Sequence, residues 1–170
     1  MGNIKVITGN GKGKTTSAIG IMMKEAIVDK KIYFGQFMKG GNYNEIKSLA
    51  RAFPKITIDQ YTGGFVLIKS PQERDMLVAQ EGLRKAKEAV GSGIYDLVVL
   101  DEINIVLFLE TISKEETLEM LKKIPQKTDI LLTGRYADPD ILAIADEAYE
   151  ILQIKHYFNE GVPARAGIEM

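Results

Sequence analysis

Apolar runs and apolar helical stripes alternate along this chain in a regular order. The run IKVIT (Ile4 to Thr8) is β-branched and stops at a glycine. Beyond it, Ile19, Met22, Met23, Ala26 and Ile27 recur at three- and four-residue spacings and predict a helix over 15–29. A second strand is expected over Lys31 to Met38, ending in the turn Gly40-Gly41, with a helix over 45–53 and a third strand over Lys55 to Tyr61. The stretch GGFVLIKSP (Gly63 to Pro71) carries no period and reads as a loop. Residues 72–91 form the longest predicted helix, with Met76, Leu77, Leu83, Ala86 and Val90 near one face.

The second half repeats the alternation. YDLVVLDE (Tyr95 to Glu102) is apolar until it ends in two carboxylates, as a strand covered on both faces should be. A helix follows from Ile103, and an amphipathic one over Lys114 to Ile124, with Ser113 and Glu116 placed for a capping box. DILLTG (129–134) reads as a buried strand, Asp138 to Ala148 as a helix, and YEILQI (Tyr149 to Ile154) as a last strand. The tail from Lys155 to Met170 is irregular. No linker, repeat or low-complexity segment interrupts this order. One α/β domain over residues 1–170 is therefore expected, with a mostly parallel sheet and helices on both faces. With the glycine-lysine-threonine loop at 9–16 between the first strand and the first helix, the type implied is the nucleotide-binding phosphate-loop NTPase (RecA-like) one, whose ligands sit beyond the carboxyl ends of the strands.

Composition narrows the chemistry. The chain has 170 residues, enough to hide roughly 70% of its unfolded surface. A net charge of -1 argues against a protein that grips nucleic-acid backbone. With no cysteine and one histidine, disulfides, thiolate chemistry and a multi-histidine zinc site are excluded. No apolar run approaches the ~20 residues that span a bilayer, so no membrane is expected as a partner. The opening MGNIKVITGN has no signal-peptide layout, and a cytoplasmic location is expected.

The glycine loop TGNGKGKTT (Thr8 to Thr16) carries the main signal. Its ending Gly13-Lys14-Thr15 suits a phosphate-binding loop, but the full pattern wants a glycine five positions before Gly13, where Thr8 stands. The loop is one residue short. Gly9, Gly11 and Gly13 are expected to turn backbone N–H groups toward an anion, with Asn10, Lys12 and Thr16 beside them. The following helix N-terminus adds partial positive charge. Lys14 brings a full charge to phosphate, and the Thr15 hydroxyl suits Mg²⁺. Asp101 and Glu102 end the acidic strand, where one is expected to reach the metal while the other packs or caps. Lys39 and Arg135 follow other strand ends and are candidates to meet phosphate. His156 and the Met22-Met23 pair read as packing residues.

These residues together resemble the phosphate-loop class of ATP:corrinoid adenosyltransferases. The shortened TGNGKGKTT, QFMKG, VVLDEI, LTGR with DILAIAD, and IKHYFNEGVPARAGIE each resemble that family's segments in order, across nearly the whole chain. The resemblance implies transfer of the 5′-deoxyadenosyl group of ATP to the Co(I) centre of a reduced corrinoid, with triphosphate leaving and the nucleotide reversed on its loop. It implies that residues 9–16 hold the triphosphate, that Thr15 and Glu102 hold magnesium, and that Arg135 stands in the site. It also implies a homodimer and a reduced flavoprotein as electron donor. The competing expectations are a phosphate-loop ATPase or small-molecule kinase, and an ATP-sensing module without turnover.

One departure from the family's pattern is testable. Phe65 matches a Gly-Phe-Thr-Trp-type run that, in the family, packs against the corrinoid, but Val66 and Leu67 replace Thr and Trp. Leu67 is expected to keep water out and preserve the chemistry, while the aid given to forming four-coordinate Co(II) weakens. Leu67→Trp should change the spectrum of bound Co(II)corrinoid and speed its reduction; spectra identical to the parent's refute this.

Overall fold

The computed structural model describes residues 2–39, 44–62, 71–157 and 161. Among these residues six strands, β1 (Ile4–Thr8), β2 (Ile32–Phe37), β3 (Thr57–Tyr61), β4 (Leu97–Asp101), β5 (Asp129–Thr133) and β6 (Glu147–Glu150), form one sheet in the order β3-β2-β4-β5-β1-β6. Every pairing is parallel. The sheet is thus wholly rather than mostly parallel, which accounts for its apolar central runs: helices cover both faces, so alternation is lost.

Among the described residues six helices do the covering: α1 (Lys14–Ile27), α2 (Asn44–Ala52), α3 (Glu73–Gly91), α4 (Ile103–Phe108), α5 (Lys114–Lys122) and α6 (Pro139–Ile144). Successive strand residues point to opposite faces. On β4, Val98 and Leu100 therefore join the core under α3 to α6, while Leu97 and Val99 join the core under α1 and α2. The first core takes Leu83 and Ala86 from α3, Val106 from α4 and Leu121 from α5; the second takes Ala18 and Met22 from α1 and Leu49 from α2. No described helix is long and apolar enough to cross a membrane.

Helix ends follow local chemistry. The Ser113 hydroxyl accepts from the Glu116 N–H (3.1 Å) and caps α5, and Asp138 caps α6 ahead of Pro139 in its first turn. The Glu116 side chain pairs with Lys87 on α3, so only the N-cap half of the expected box is seen.

Three expectations need correction. The last strand is not Tyr149 to Ile154 but Glu147–Glu150, and α6 ends at Ile144 instead of running to Ala148. Backbone pairing to β1 sets this register: Asp146 N donates to Ile4 O (2.8 Å), and Ile151 N donates to Thr8 O (2.9 Å). The Asp146 carboxylate also accepts from Ile4 N (2.7 Å). β1 ends at Thr8, so the ladder stops although apolar residues continue, and Ile154 is left 97% exposed. On α1, Met22 is buried but Met23 and Ile27 are exposed; on α3, so are Met76 and Leu77. The sheet accepts a narrower stripe of each helix than periodicity indicates. The 63–70 loop, the Gly40-Gly41 turn and most of the 155–170 tail lie outside the described residues.

Gly82 on α3 marks a close approach to the sheet. A Cβ there would lie 2.5 Å from the Phe37 ring and 2.8 Å from the Tyr61 ring. Alanine would gain about 1 kcal/mol of helix propensity. Overpacking two rings already in contact costs about 1–3 kcal/mol and should outweigh that gain. Gly82→Ala is expected to lower the urea midpoint of unfolding with m unchanged.

Candidate functional site

The site lies where β1, β2, β4 and β5 end. β1 and β4 are separated by β5, yet the helix after β1 and the acid that ends β4 meet at its centre. Thr15 Oγ1 donates to Asp101, 3.0 Å from Oδ1 and 3.2 Å from Oδ2. Gln36 Nε2 donates to Asp101 Oδ2 (2.9 Å) and Thr133 Oγ1 to Oδ1 (2.6 Å). Asp101, Gln36 and Thr133 are all fully buried. A buried carboxylate is costly unless partnered, and here the start of α1 and the ends of β2 and β5 supply the partners. Gln36 and Thr133 were not among the sequence candidates. Their signal is a polar residue inside an otherwise apolar strand run, QF after IYFG and T after DILL.

The glycine loop is shaped by β6 as much as by any ligand. Gly9 and Gly13 have φ of +99° and +115°, a region that favours glycine. A Cβ on Gly9 would sit 2.4 Å from Ile151 O, and one on Gly11 would sit 2.7 Å from Ile151 Cγ2. Gly11 N donates to Ile151 O (2.7 Å). This corrects the expectation that all three glycines turn N–H groups toward an anion, because the exit of β6 takes the Gly11 N–H. Gly13 has open space around its Cβ position and is required by φ alone. It ends the loop as the N-cap of α1.

Two lysines converge on this point. Lys14 is buried, and its Nζ donates to Gly9 O and Gly11 O, both at 2.8 Å. Burial holds its pKa below the usual lysine value, and Arg135 and Lys39 add to the lowering while Glu102 and Asp101 oppose it. Lys39 Nζ donates to Thr15 Oγ1 (2.6 Å) and lies 3.5 Å from Asp101 Oδ2 and 3.4 Å from Glu102 Oε1. Burial would lower its pKa, but the Asp101 and Glu102 carboxylates outweigh it and hold the ammonium above the usual value.

Asp101 and Glu102 do not diverge to opposite faces as strand alternation suggests. Glu102 has φ of +62°, so β4 breaks there and both carboxylates meet Lys39. The other candidates spread outward. Arg135 is exposed just past β5 and acts on Lys14 through its charge. Lys12 Nζ donates to Tyr157 Oη (3.2 Å), and Thr16 is exposed. Asn10 lines a cavity of about 350 Å³ with Gly9, Tyr136 and Tyr149. Phe65 lies outside the described residues.

The oxygen set formed by Thr15, Asp101 and Glu102 fits a hard divalent cation, and the Lys39 ammonium seated among these oxygens shows that the cluster accepts a cation. Among the described residues no cluster of three His, Asp or Glu side chains is assembled. A metal here would complete its shell with phosphate and water, as Mg²⁺ does.

A six-stranded parallel sheet whose first strand leads through a glycine-lysine-threonine loop into a helix defines a P-loop NTPase-like α/β protein. Comparison with known proteins takes this further. The sequence profile of the ATP:corrinoid adenosyltransferase BtuR/CobO/CobP family matches residues 1–170, and the chain belongs to that family of transferases. It is 33% identical over 168 residues to the corrinoid adenosyltransferase of Escherichia coli K12, covering 99% of this chain and 85% of that one. It is 32% identical over 168 residues to the corrinoid adenosyltransferase CobA of Salmonella typhimurium, with 99% and 85% covered. An uncharacterized protein of Nostoc is 33% identical over 183 residues, and the chain spans 48% of its length.

The buried lysine sets a pH dependence. Lys14 has a folded-state pKa below its ordinary 10.5, so between those two values the unfolded chain binds more protons and stability rises with pH. Lys39 is shifted upward, so its contribution is lost only as pH rises through a value above 10.5. Urea midpoints measured up to pH 10.5 are expected to have a more positive slope against pH in the parent than in Lys14→Met. Equal slopes in the two proteins would contradict it.

Proposed function

We propose that this chain transfers the 5′-deoxyadenosyl group of ATP to the Co(I) centre of a reduced corrinoid and releases triphosphate. The observation that carries this reading is the site's composition: a buried lysine and a buried threonine–aspartate pair at the head of α1, within family-wide similarity. The cobalt electron pair forms the bond to the 5′ carbon, and the pair of the breaking C–O bond leaves on the triphosphate oxygen. Cobalt is the nucleophile, so the chain needs no cysteine or histidine for that role. Its work is to orient the nucleotide, hold the leaving group and keep water out.

Lys14 and the remaining loop N–H groups stabilise charge that grows on the leaving oxygens, which is electrostatic catalysis. Lys14 turns from the Gly9 and Gly11 carbonyls toward the phosphates to do so. Arg135, close enough for its charge to depress the Lys14 pKa, supports the same charge. Mg²⁺ held by Thr15, Asp101 and Glu102 would neutralise part of the triphosphate. Gly9, Asn10, Gly11, Lys12, Gly13 and Thr16 border the phosphate chain, and Phe65 belongs to the corrinoid side. One domain over residues 1–170, a homodimer, a reduced flavoprotein donor and a cytoplasmic role in cobalamin synthesis complete the reading.

The test mixes protein, ATP, Mg²⁺ and chemically reduced corrinoid. Inorganic triphosphate and a light-sensitive adenosylated corrinoid are expected in equal amounts. ADP and phosphate, or nucleotide binding without turnover, would overturn the reading. Lys14→Ala should lower turnover by about 10²–10³-fold with the circular dichroism spectrum unchanged.

A further inference from the structure

We propose that Lys39 is an exchangeable cation: it fills the Thr15–Asp101–Glu102 oxygen cluster, yields that place to a divalent metal, and then moves onto the triphosphate. The proposal rests on the reading of this cluster as a metal–triphosphate site. It assigns Lys39 two alternative partners where phosphate binding alone would require one.

Three observations support it. The first is placement. The Lys39 ammonium lies 2.6 Å from Thr15 Oγ1, 3.5 Å from Asp101 Oδ2 and 3.4 Å from Glu102 Oε1. Those atoms come from α1, the end of β4 and the residue after it, and Lys39 is the cation that joins them. A metal bound to the same oxygens would lie within a few ångströms of the ammonium, and two cations at that separation repel strongly. They cannot share the cluster, so Lys39 has to leave when a metal enters.

The second observation is a partly exposed side chain on a fixed base. Met38 has φ of +62°, and Lys39 N donates to Phe37 O (2.7 Å), so a tight reversal at the end of β2 aims the side chain back across the sheet. The Lys39 side chain is 26% exposed, whereas the Asp101 side chain is fully buried. An ammonium on a flexible four-carbon stem can move from this base while the carboxylate stays in place. The third is that Asp101 does not depend on Lys39. Thr15, Gln36 and Thr133 continue to donate to it after the ammonium departs, so the exchange strands no buried charge.

The triphosphate is the natural second partner. Lys39 and Lys14 flank Thr15 from different elements, and a polyanion drawn to the head of α1 meets both. The lysine that guards the cluster then becomes a clamp on the leaving group.

The test uses the full chain and two probes without corrinoid. Mn²⁺ binding is followed by electron paramagnetic resonance, and inorganic tripolyphosphate binding is followed by calorimetry with Mn²⁺ present. Lys39→Met should bind Mn²⁺ about tenfold more tightly than the parent, because a competing cation is gone. The same variant should bind tripolyphosphate about tenfold more weakly, because one charged donor is gone. Lys39→Gln should repeat both shifts if Met disturbs folding. Lys24→Met, which removes an exposed charge in the last turn of α1, should move neither. Opposite shifts are a signature that a merely structural role for Lys39 would not produce. Mn²⁺ affinity unchanged or weakened in both variants, or tripolyphosphate affinity unchanged, overturns the proposal. If the opposite shifts appear while no adenosylated corrinoid forms, the reaction assigned above fails and the exchange stands. An active enzyme without the shifts rejects the exchange alone.

Discussion

The structure depends on one buried charge. Asp101 ends the central strand β4 with no exposure to solvent, and a carboxylate there is tolerable only if its lone pairs are occupied. Thr15 from the head of α1, Gln36 from β2 and Thr133 from β5 provide the donors. These hydrogen bonds tie the head of α1 to β4, which is not a neighbour of β1, and through Asp101 to β2 and β5. They also determine where the Thr15 hydroxyl points. The anchoring of α1 and the geometry of the triphosphate site are therefore consequences of the same interaction.

Around that anchor, the strands end in backbone that ordinary residues rarely adopt. Met38 after β2, Glu102 after β4 and Gly134 after β5 all have positive φ, and Tyr136 follows with φ of +58°. Each reversal stops a strand and redirects the next side chain toward the common edge. Such conformations cluster where function requires a particular placement, and here they bring Lys39 and both carboxylates together. The turn at Glu102 is stabilised by its N–H, which donates to Thr133 Oγ1 (3.0 Å). Thr133 thus links the anchor and the turn.

Much of the fold was legible because both periodicities were strong. The apolar β-branched runs at 4–8, 97–101 and 129–133 have the burial of central strands, and the helices between them are where their stripes predict. The edge was less legible. β6 is a strand because its backbone completes the ladder of β1, while its side chains are all exposed, so hydrophobicity pointed to the wrong residues. The candidate residues Lys14, Thr15, Lys39, Asp101 and Glu102 do converge in space. Gln36 and Thr133 were missed because a polar residue within a strand is informative only once its buried partner is known.

The sequence by itself determined the alternation of elements, the parallel sheet and the sites where chemistry would concentrate, because spacing and residue type act locally. The tertiary structure alone decided which groups face each other. Gly11 gives its N–H to Ile151 instead of a ligand, and Glu102 turns to join Asp101 at Lys39. These outcomes depend on contacts between residues far apart in the chain. No local pattern encodes them, since a hydrogen-bond donor and its acceptor meet only when the sheet order brings their strand ends side by side.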